Sequence, residues 1–458
     1  MTDKYDVFVI GGGPGGYTAA IRCAKKGASV GLAEKNVLGG VCLNSGCIPS
    51  KTLLASSHFM KLAQNADSMG IEISSAKPDW QKIQARKNAI IDGFAKSLKG
   101  LIQSHNIKIF QHRAVAVSPN KIKIEKSGGS EEIQTNSILI ATGSKPIEIP
   151  RFKFDGKTII SSTEAMNLSK IPESMIIVGG GVIGCEMACI FAPLGTKVII
   201  VELLPHLLSF EDEWVGKTIE KELNKLGVEI LTGQKVVRAI VSDDGADVLL
   251  ESGKILHAEK VLVAAGREAV CDKETIENLG LEMKNNAVKV NQKMQTSVQG
   301  VYAIGDVVGT TYLAHGAFAE AQIAASNAAG GNEIMYDYSL IPRVVYTFPE
   351  VGSVGKTQAQ CVREGIDISV GKSLFKHNGR SVSQNETAGE VRVIKNKADN
   401  KILGVTIVGA CASEMLSSAR AILGSKENIN NICFPHPTAC ETLKDAWEDA
   451  LGMGLSTE

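Results

Sequence analysis

Two cysteines stand where core residues do not. The stretch GGVCLNSGCIPSKTLL (39–54) sets Cys42 and Cys47 among Gly39, Gly40 and Gly46, ahead of Pro49 and a helical pattern. A loop running into a helix N-terminus lowers a thiol pKa and favours the thiolate, and glycines let the backbone approach a flat cofactor. The chemistry on offer is thiol–disulfide exchange. Zinc binding is the alternative, although it normally brings a second Cys/His pair at short spacing, which this sequence lacks. Two inert loop thiols are the plainest reading. Cys23, Cys185 and Cys189 fall in apolar helix-like runs and read as small buried thiols. Near the other end, PHPTACETLKDAW (435–447) places His436 between prolines, with Glu441 following in the same stretch. A histidine with a carboxylate partner can move protons near neutral pH, whereas a His-Pro in a loop is by itself commonly structural. His315, after an apolar strand end, reads as a buried, packed or backbone-bonded residue rather than a catalyst.

The elements that must position these residues form a repeat. Residues 5–34 read YDVFVI-GGGPGG-YTAAIRCAKKG-ASVGLAE, and residues 174–202 read SMIIVG-GGVIG-CEMACIFAPLG-TKVIIVE. In each, an apolar strand enters G-x-G-x-x-G: Gly11, Gly13 and Gly16, then Gly179, Gly181 and Gly184. A small-residue helix follows, closed by Gly27 or Gly195, and a second strand ends in Glu34 or Glu202. The first glycine allows a tight turn, the second lets backbone approach a pyrophosphate, and the third lets helix pack on strand. The helix N-terminus offers unpaired N–H groups to the phosphates. The glutamate accepts ribose hydroxyls and repels a 2′-phosphate. One such motif can serve packing alone; two complete copies predict two bound dinucleotides.

Helical patterns cover 51–65 and 80–104, and KIKIEKSGGSEEI reads as a hairpin about a Gly-Gly turn. SILIATGS (137–144) is a buried strand ending in Gly143, with KVLVAAGR (260–267) as its counterpart; VYAIGDV (301–307) delivers Asp306 at a turn before a small-residue helix at 313–330. From about Pro342 the pattern changes. VRVIKNKADNKILGVTIVG alternates about an Asp-Asn turn, and helices follow at 412–424 and 438–451. This block carries no nucleotide signal and reads as a separate α+β domain with a packing or interface role. The 458 residues suit about two to four domains. The balance of 49 basic against 49 acidic residues excludes an electrostatic nucleic-acid binder or membrane-surface protein, both of which need a basic field. Ten cysteines are too sparse for a disulfide scaffold of this size. No basic-then-apolar leader opens the chain and no apolar run approaches the ~20 residues of a membrane span.

Together these stretches resemble the flavin-dependent pyridine nucleotide–disulfide oxidoreductases over essentially the whole chain, and within them the members that oxidise dihydrolipoyl groups. Residues 39–51 match G-G-x-C-L-N-x-G-C-I-P-S-K throughout; ATGSKP (141–146), the second glycine unit with Glu186 after it, AIGD (303–306), YTFPEVGSVGKT (346–357) and HPTACE (436–441) follow in the family's order. The resemblance implies an α/β fold with two Rossmann-like dinucleotide-binding domains, for FAD and NAD, and a C-terminal α+β dimerisation domain. Residues 1–145 would bind FAD and carry the redox disulfide, 146–270 would bind NAD, 271–340 would complete the FAD site, and 341–458 would form the dimer. Cys42 would exchange with substrate, Cys47 would lie against the flavin, and Lys51 would pair with Glu186. His436, oriented by Glu441, would take the proton from the dithiol in the partner subunit's site. Asp306 would bind the ribityl chain. Ala114, Thr142, Gly143, Gly266, Leu313, Ala314 and His315 join the glycines and Glu34 or Glu202 as cofactor contacts.

The implied partners are a second copy of the chain, lipoyl domains and the acyltransferase core of 2-oxo acid dehydrogenase complexes, with neither nucleic acid nor membrane. The implied location is a bacterial cytoplasm, or the mitochondrial matrix if a presequence has been removed. The chain departs from the family at CFPHP (433–437), usually C-H-A-H-P; at GREAV (266–270), usually G-R-x-P-N; and at LAHGAF (313–318), usually L-A-H-K-A-E. A glutathione-type reductase differs at CIPSK and uses NADP, while Glu202 is followed by LLPHLL, with no arginine for a 2′-phosphate. A purely docked structural subunit would not need Cys42, Cys47, His436 and Glu441 together.

Overall fold

A computed structural model describes residues 4–423, 429 and 432–454. The chain forms two compact, discontinuous units: Met1–Thr52, Gln84–Ile147 and Gly266–Tyr336 make the first, and Leu53–Ile83, Glu148–Ala265 and Asp337–Glu458 the second.

In the first unit the strand Lys4–Ile10 lies between two parallel neighbours, Val30–Ala33 and the C-terminal half of Gly129–Ile140, with Lys108–Phe110 outside Val30–Ala33. The strand Gly129–Ile140 serves two partners along one edge. Residues 129–134 pair antiparallel with Lys121–Lys126, and residues 138–140 pair in parallel with Val301–Ala303. SILIATGS is therefore the end of a longer strand, which stops at Ile140. The hairpin turn expected at Gly-Gly sits one residue earlier: Lys126 faces Gly129, and Gly128 takes the left-handed φ of +98°. All-parallel central strands buried on both faces explain the unbroken apolar runs VFVI and ILI. Their common C-terminal edge carries Gly11, Glu34, Ala141 and Ile304 onward. Ligands of open α/β sheets bind outside this edge.

The second unit repeats the plan. Its parallel sheet runs Glu229–Leu231, Lys197–Val201, Ser174–Val178, Lys260–Val263, Ile159–Ile160, beside an antiparallel meander of Val236–Ser242, Gly245–Leu250 and Ile255–Ala258. The same unit holds a five-stranded antiparallel sheet ordered Arg343–Val345, Glu350–Gly355, Ile402–Gly409, Glu390–Asn396, Ile368–Leu374. Helices Ala412–Ile422 and Cys440–Ala450 close its core around Phe375 and Trp447. The second helix lies so near that a Cβ on Gly371 would meet the Ala446 carbonyl oxygen at 2.0 Å. Two Rossmann-like folds and a C-terminal α+β layer are thus present, and Gly27 and Gly195 close their helices with φ of +88° and +104°. Among the described residues no helix is long and apolar enough to cross a membrane.

Candidate active site

The two glycine turns are built alike. A Cβ on Gly11 would meet the Ala141 oxygen at 2.2 Å, and one on Gly179 would meet the Ala264 oxygen at 2.5 Å. The third glycines are tighter: Gly16 against the Gly11 oxygen at 1.8 Å, Gly184 against the Gly179 oxygen at 1.9 Å. The middle glycines face space instead, with nothing within 4 Å of Gly181 and only the Gly40 Cα, at 3.9 Å, near Gly13. Both cap helices, Pro14–Lys25 and Val182–Phe191, that have neither a side-chain cap nor an acidic residue in the first turn. Unpaired N–H groups behind an open approach suit a pyrophosphate. Glu34 accepts the N–H groups of Gly12 (2.8 Å) and Asn36 (2.7 Å); Glu202 accepts those of Gly180 (2.5 Å) and Leu204 (2.7 Å). Each carboxylate is thereby fixed at the end of its second strand. The residues fit one dinucleotide per unit.

The middle and third glycines should separate on substitution. Gly184→Ala should destabilise the cofactor-free fold by about 2–3 kcal/mol through overpacking. Gly181→Ala should leave its unfolding temperature unchanged while raising the KM for the dinucleotide of the second unit about tenfold. Thermal melts without cofactor and steady-state kinetics check both, and equal melting losses in the two variants would contradict the division of roles.

The cysteine loop is bolted to the first glycine turn. The Gly39 N–H donates to the Gly12 oxygen at 2.8 Å, and a Cβ on Gly40 would meet the Gly13 Cα at 2.8 Å. Gly39 and Gly40 take φ of +95° and +57°. Where the sequence predicts a loop, Gly40–Ser45 forms a short helix carrying Cys42, and Cys47 opens the helix Cys47–Gln64. The Asn44 amide steadies the turn by donating to the Leu38 and Gly40 oxygens. Both cysteines are thiols in this structure. The hydrogen bond with Cys47, together with burial, pushes the Cys42 thiol far above the ordinary thiol range, and Lys51 opposes the shift. This corrects, for Cys42, the expectation of a lowered thiol pKa: its hydrogen bond and its burial outweigh the pull of Lys51. Burial first, and then the two sulfurs, push the Tyr17 phenol upward as well.

Asp306 begins beside the strand end Val301–Ala303, in the turn Gly305–Val308. It accepts the Ser144 hydroxyl, which in turn accepts the Arg267 Nε–H at 2.8 Å. Arg267 lies 4.0 Å from Asp306. Thr142 donates to the Val270 oxygen at 2.5 Å, and Gly143 and Gly266 take φ of +77° and +115°. GREAV, which departs from the family turn, instead forms the strand Arg267–Ala269 against Ser144–Pro146. The side chain of Ala114 belongs to the core, so its backbone alone is available to a ligand. Leu313 caps the helix Ala314–Ala328. His315 is exposed rather than buried, because that helix turns Gly316, Ala317, Glu320 and Ala321 inward.

In the second unit, the Nδ1 of His436 lies 2.8 Å from Glu441 Oε1, and the other oxygen accepts the Thr438 N–H at 2.9 Å. Burial works against ionisation of Glu441, but Thr438 and His436 outweigh it and hold the carboxyl below its usual range. His436 and Glu441 line an open cavity of about 570 Å³. Glu186, 5% exposed on the helix Val182–Phe191, accepts the Tyr346 N–H at 3.1 Å. The first unit therefore gathers Cys42, Cys47, Lys51, Asp306 and the first glycine turn; the second gathers the other glycine turn, Glu186, Glu202, His436 and Glu441. Sequence reasoning did not single out Ser144, Arg267 or Tyr17. Ser144 and Arg267 end the paired repeats ATGS and AAGR, and that correspondence was the signal available. Among the described residues no cluster of His, Cys, Asp and Glu could hold a metal ion.

The family described as pyridine nucleotide-disulphide oxidoreductase matches residues 5–325, and its dimerisation domain matches residues 341–447. Dihydrolipoyl dehydrogenase of Bacillus subtilis (strain 168) is 36% identical over 455 residues, covering 98% of this chain and 99% of its own length. Dihydrolipoyl dehydrogenase of Geobacillus stearothermophilus is 37% identical over 457 residues, covering 98% and 97%. LpdA from Mycobacterium tuberculosis shares the fold with a TM-score of 0.90 at 22% identity, covering 97% of this chain and 99% of that one. The HOCl-induced flavoprotein disulfide reductase RclA from Escherichia coli gives 0.86 at 26% identity, with the same coverage.

Proposed function

The chain belongs to the pyridine nucleotide-disulphide oxidoreductase family, and on that premise we propose that it runs the reaction of the dihydrolipoyl dehydrogenases it resembles. A protein-bound dihydrolipoyl dithiol is oxidised to the cyclic disulfide, and NAD becomes NADH. The observation that carries this reading is the hydrogen-bonded pair Cys42 and Cys47, bolted onto the first glycine turn of a chain that its relatives match end to end. FAD belongs with Glu34 and Asp306 in the first unit, and NAD with Glu202 in the second.

When bound, FAD would accept the electron pair of the reduced cysteines and NAD would accept hydride. The remaining steps belong to side chains. With Cys42 and Cys47 joined as a disulfide, a substrate thiolate attacks Cys42, the Cys42–Cys47 bond breaks, and Cys47 leaves as thiolate. The second substrate sulfur then displaces Cys42 and closes the lipoyl ring. His436 takes a proton from the attacking dithiol and returns one to Cys42, whose raised pKa makes it a ready acceptor. Glu441 holds Nδ1, which leaves Nε2 to move the proton. Lys51 lies one helical turn after Cys47, where its charge favours a thiolate in the pair.

The protein is a homodimer through a dimerisation domain of known type. In our reading, His436 of one subunit serves the cysteines of the other, and the partners are lipoyl domains and the acyltransferase core of 2-oxo acid dehydrogenase complexes. Bacterial relatives favour the cytoplasm. The test is NADH formation from dihydrolipoamide and NAD, with glutathione disulfide and NADPH as the opposing pair; activity with the second pair alone would replace dihydrolipoyl by glutathione as substrate. Glu202→Arg should raise the KM for NAD at least about tenfold, through loss of the ribose contacts, with flavin content unchanged. Flavin loss with unchanged NAD kinetics would show that the two units are assigned the wrong way round.

A further inference from the structure

The turn that carries His436 is held from outside by a residue that no motif marks. Asn378 precedes the short helix Gly379–Ser383 and is 8% exposed. Its Oδ1 accepts the Ser381 N–H (3.0 Å) and hydroxyl (3.1 Å), and its Nδ2 donates to the Thr438 oxygen at 2.9 Å. With one end of the amide occupied by donors and the other by an acceptor, its orientation is fixed. Thr438 is the hub of the turn. Its hydroxyl donates to the Pro435 oxygen at 2.9 Å and its N–H donates to Glu441 Oε2 at 2.9 Å. Glu441 holds His436 through its other oxygen at 2.8 Å. An unbroken path of four hydrogen-bonded residues thus runs from a buried amide to the imidazole. Asn378 and His436 also line the same cavity, together with His377 and Phe434.

Resting on the function proposed above, we infer that Asn378 is a positioning residue for His436: it fixes the Thr438 peptide, and so sets which way Glu441 presents the imidazole to a dithiol in the cavity. An exposed histidine on a proline-flanked turn needs such an anchor, because a base acts only from within hydrogen-bond reach of the proton it takes. Asn378 is buried, so its bond to the Thr438 carbonyl is costly to leave unmade. Besides His436 and Glu441, the titratable groups lining the cavity are His377, Cys433, Lys444 and Asp445, none of which the substitution at 378 replaces.

Asn378→Ser in the full-length flavoprotein separates positioning from capping. Serine still caps Gly379–Ser383 but is too short to donate to Thr438. The kcat for dihydrolipoamide oxidation should fall about tenfold, with the limb of the pH profile that reports the base displaced and NADH-to-dye transfer unchanged within about twofold. The His436 ring resonance of ¹³C-histidine-labelled protein, assigned by its absence in His436→Gln, should move. An unmoved resonance overturns the proposal, whatever the rates do, because a merely structural role would leave the imidazole where it was. If wild-type protein leaves dihydrolipoamide untouched, the substrate assignment fails, and the resonance alone decides the fate of Asn378. Should the serine variant not fold, Asn378→Asp offers the same cap in an isosteric side chain and is read in the same way.

Discussion

Cys42→Ser is expected to remove dihydrolipoamide oxidation, by roughly 1,000-fold or more, while the protein stays yellow and still passes electrons from NADH to a dye. A serine hydroxyl fits the short helix Gly40–Ser45 and can still hydrogen-bond Cys47, so the loop on the first glycine turn should keep its shape. What disappears is the sulfur that exchanges with substrate. Cys47 cannot stand in for it, because a lone thiol has no disulfide for the dithiol to attack. Flavin content, dye reduction and dihydrolipoamide turnover, measured on one preparation, check this. Equal loss in both activities would mean that Cys42 shapes the cofactor site instead of meeting substrate.

His436→Gln should lower dihydrolipoamide oxidation by about 10²–10⁴, the range for removal of a general base, with dye reduction by NADH untouched. Glutamine keeps a donor for Glu441, so the Thr438–Glu441 arrangement survives; it has no proton to exchange near neutral pH. The pH profile should lose the limb that the imidazole sets. Substrates supplied already as thiolate, at high pH, should recover part of the rate. A variant that slows both reactions alike, or recovers nothing at high pH, would count against a base role.

The parts of the site that face a cofactor were the most legible in the sequence. The first and third glycines of the two turns are forced by contact: a Cβ at Gly16 or Gly184 would fall within 2 Å of a backbone oxygen, so the spacing cannot drift without losing the turn. The glutamates that end the second strands were legible for the same reason, although their backbone partners at Gly12 and Gly180 were not. The short helix bearing Cys42 escaped notice because six residues are too few to show a period, and the flanking glycines signal a loop. Burial of His315 was wrongly expected from its place after an apolar strand, since the face a residue occupies is set by where the helix starts. Asn378, Ser144 and Arg267 act through hydrogen bonds to partners 60 to 162 residues away, and no local pattern encodes such pairings. The compact units are likewise discontinuous, for sheet pairing brings Val301–Ala303 back to Gly129–Ile140 across the intervening sequence.

In the proposed reaction a dithiol reduces the Cys42–Cys47 pair and its electrons leave on NAD. Anaerobic stopped-flow absorbance tests it most directly: the yellow holoprotein is mixed with dihydrolipoamide, and NAD is added in a second push. A new long-wavelength absorbance is expected within the first turnover, from the Cys47 thiolate beside the flavin, followed by NADH stoichiometric with the dithiol consumed. A flavin that stays oxidised with dihydrolipoamide yet is reduced by NADH would contradict the assigned substrate and leave only the fold and the two dinucleotide sites standing.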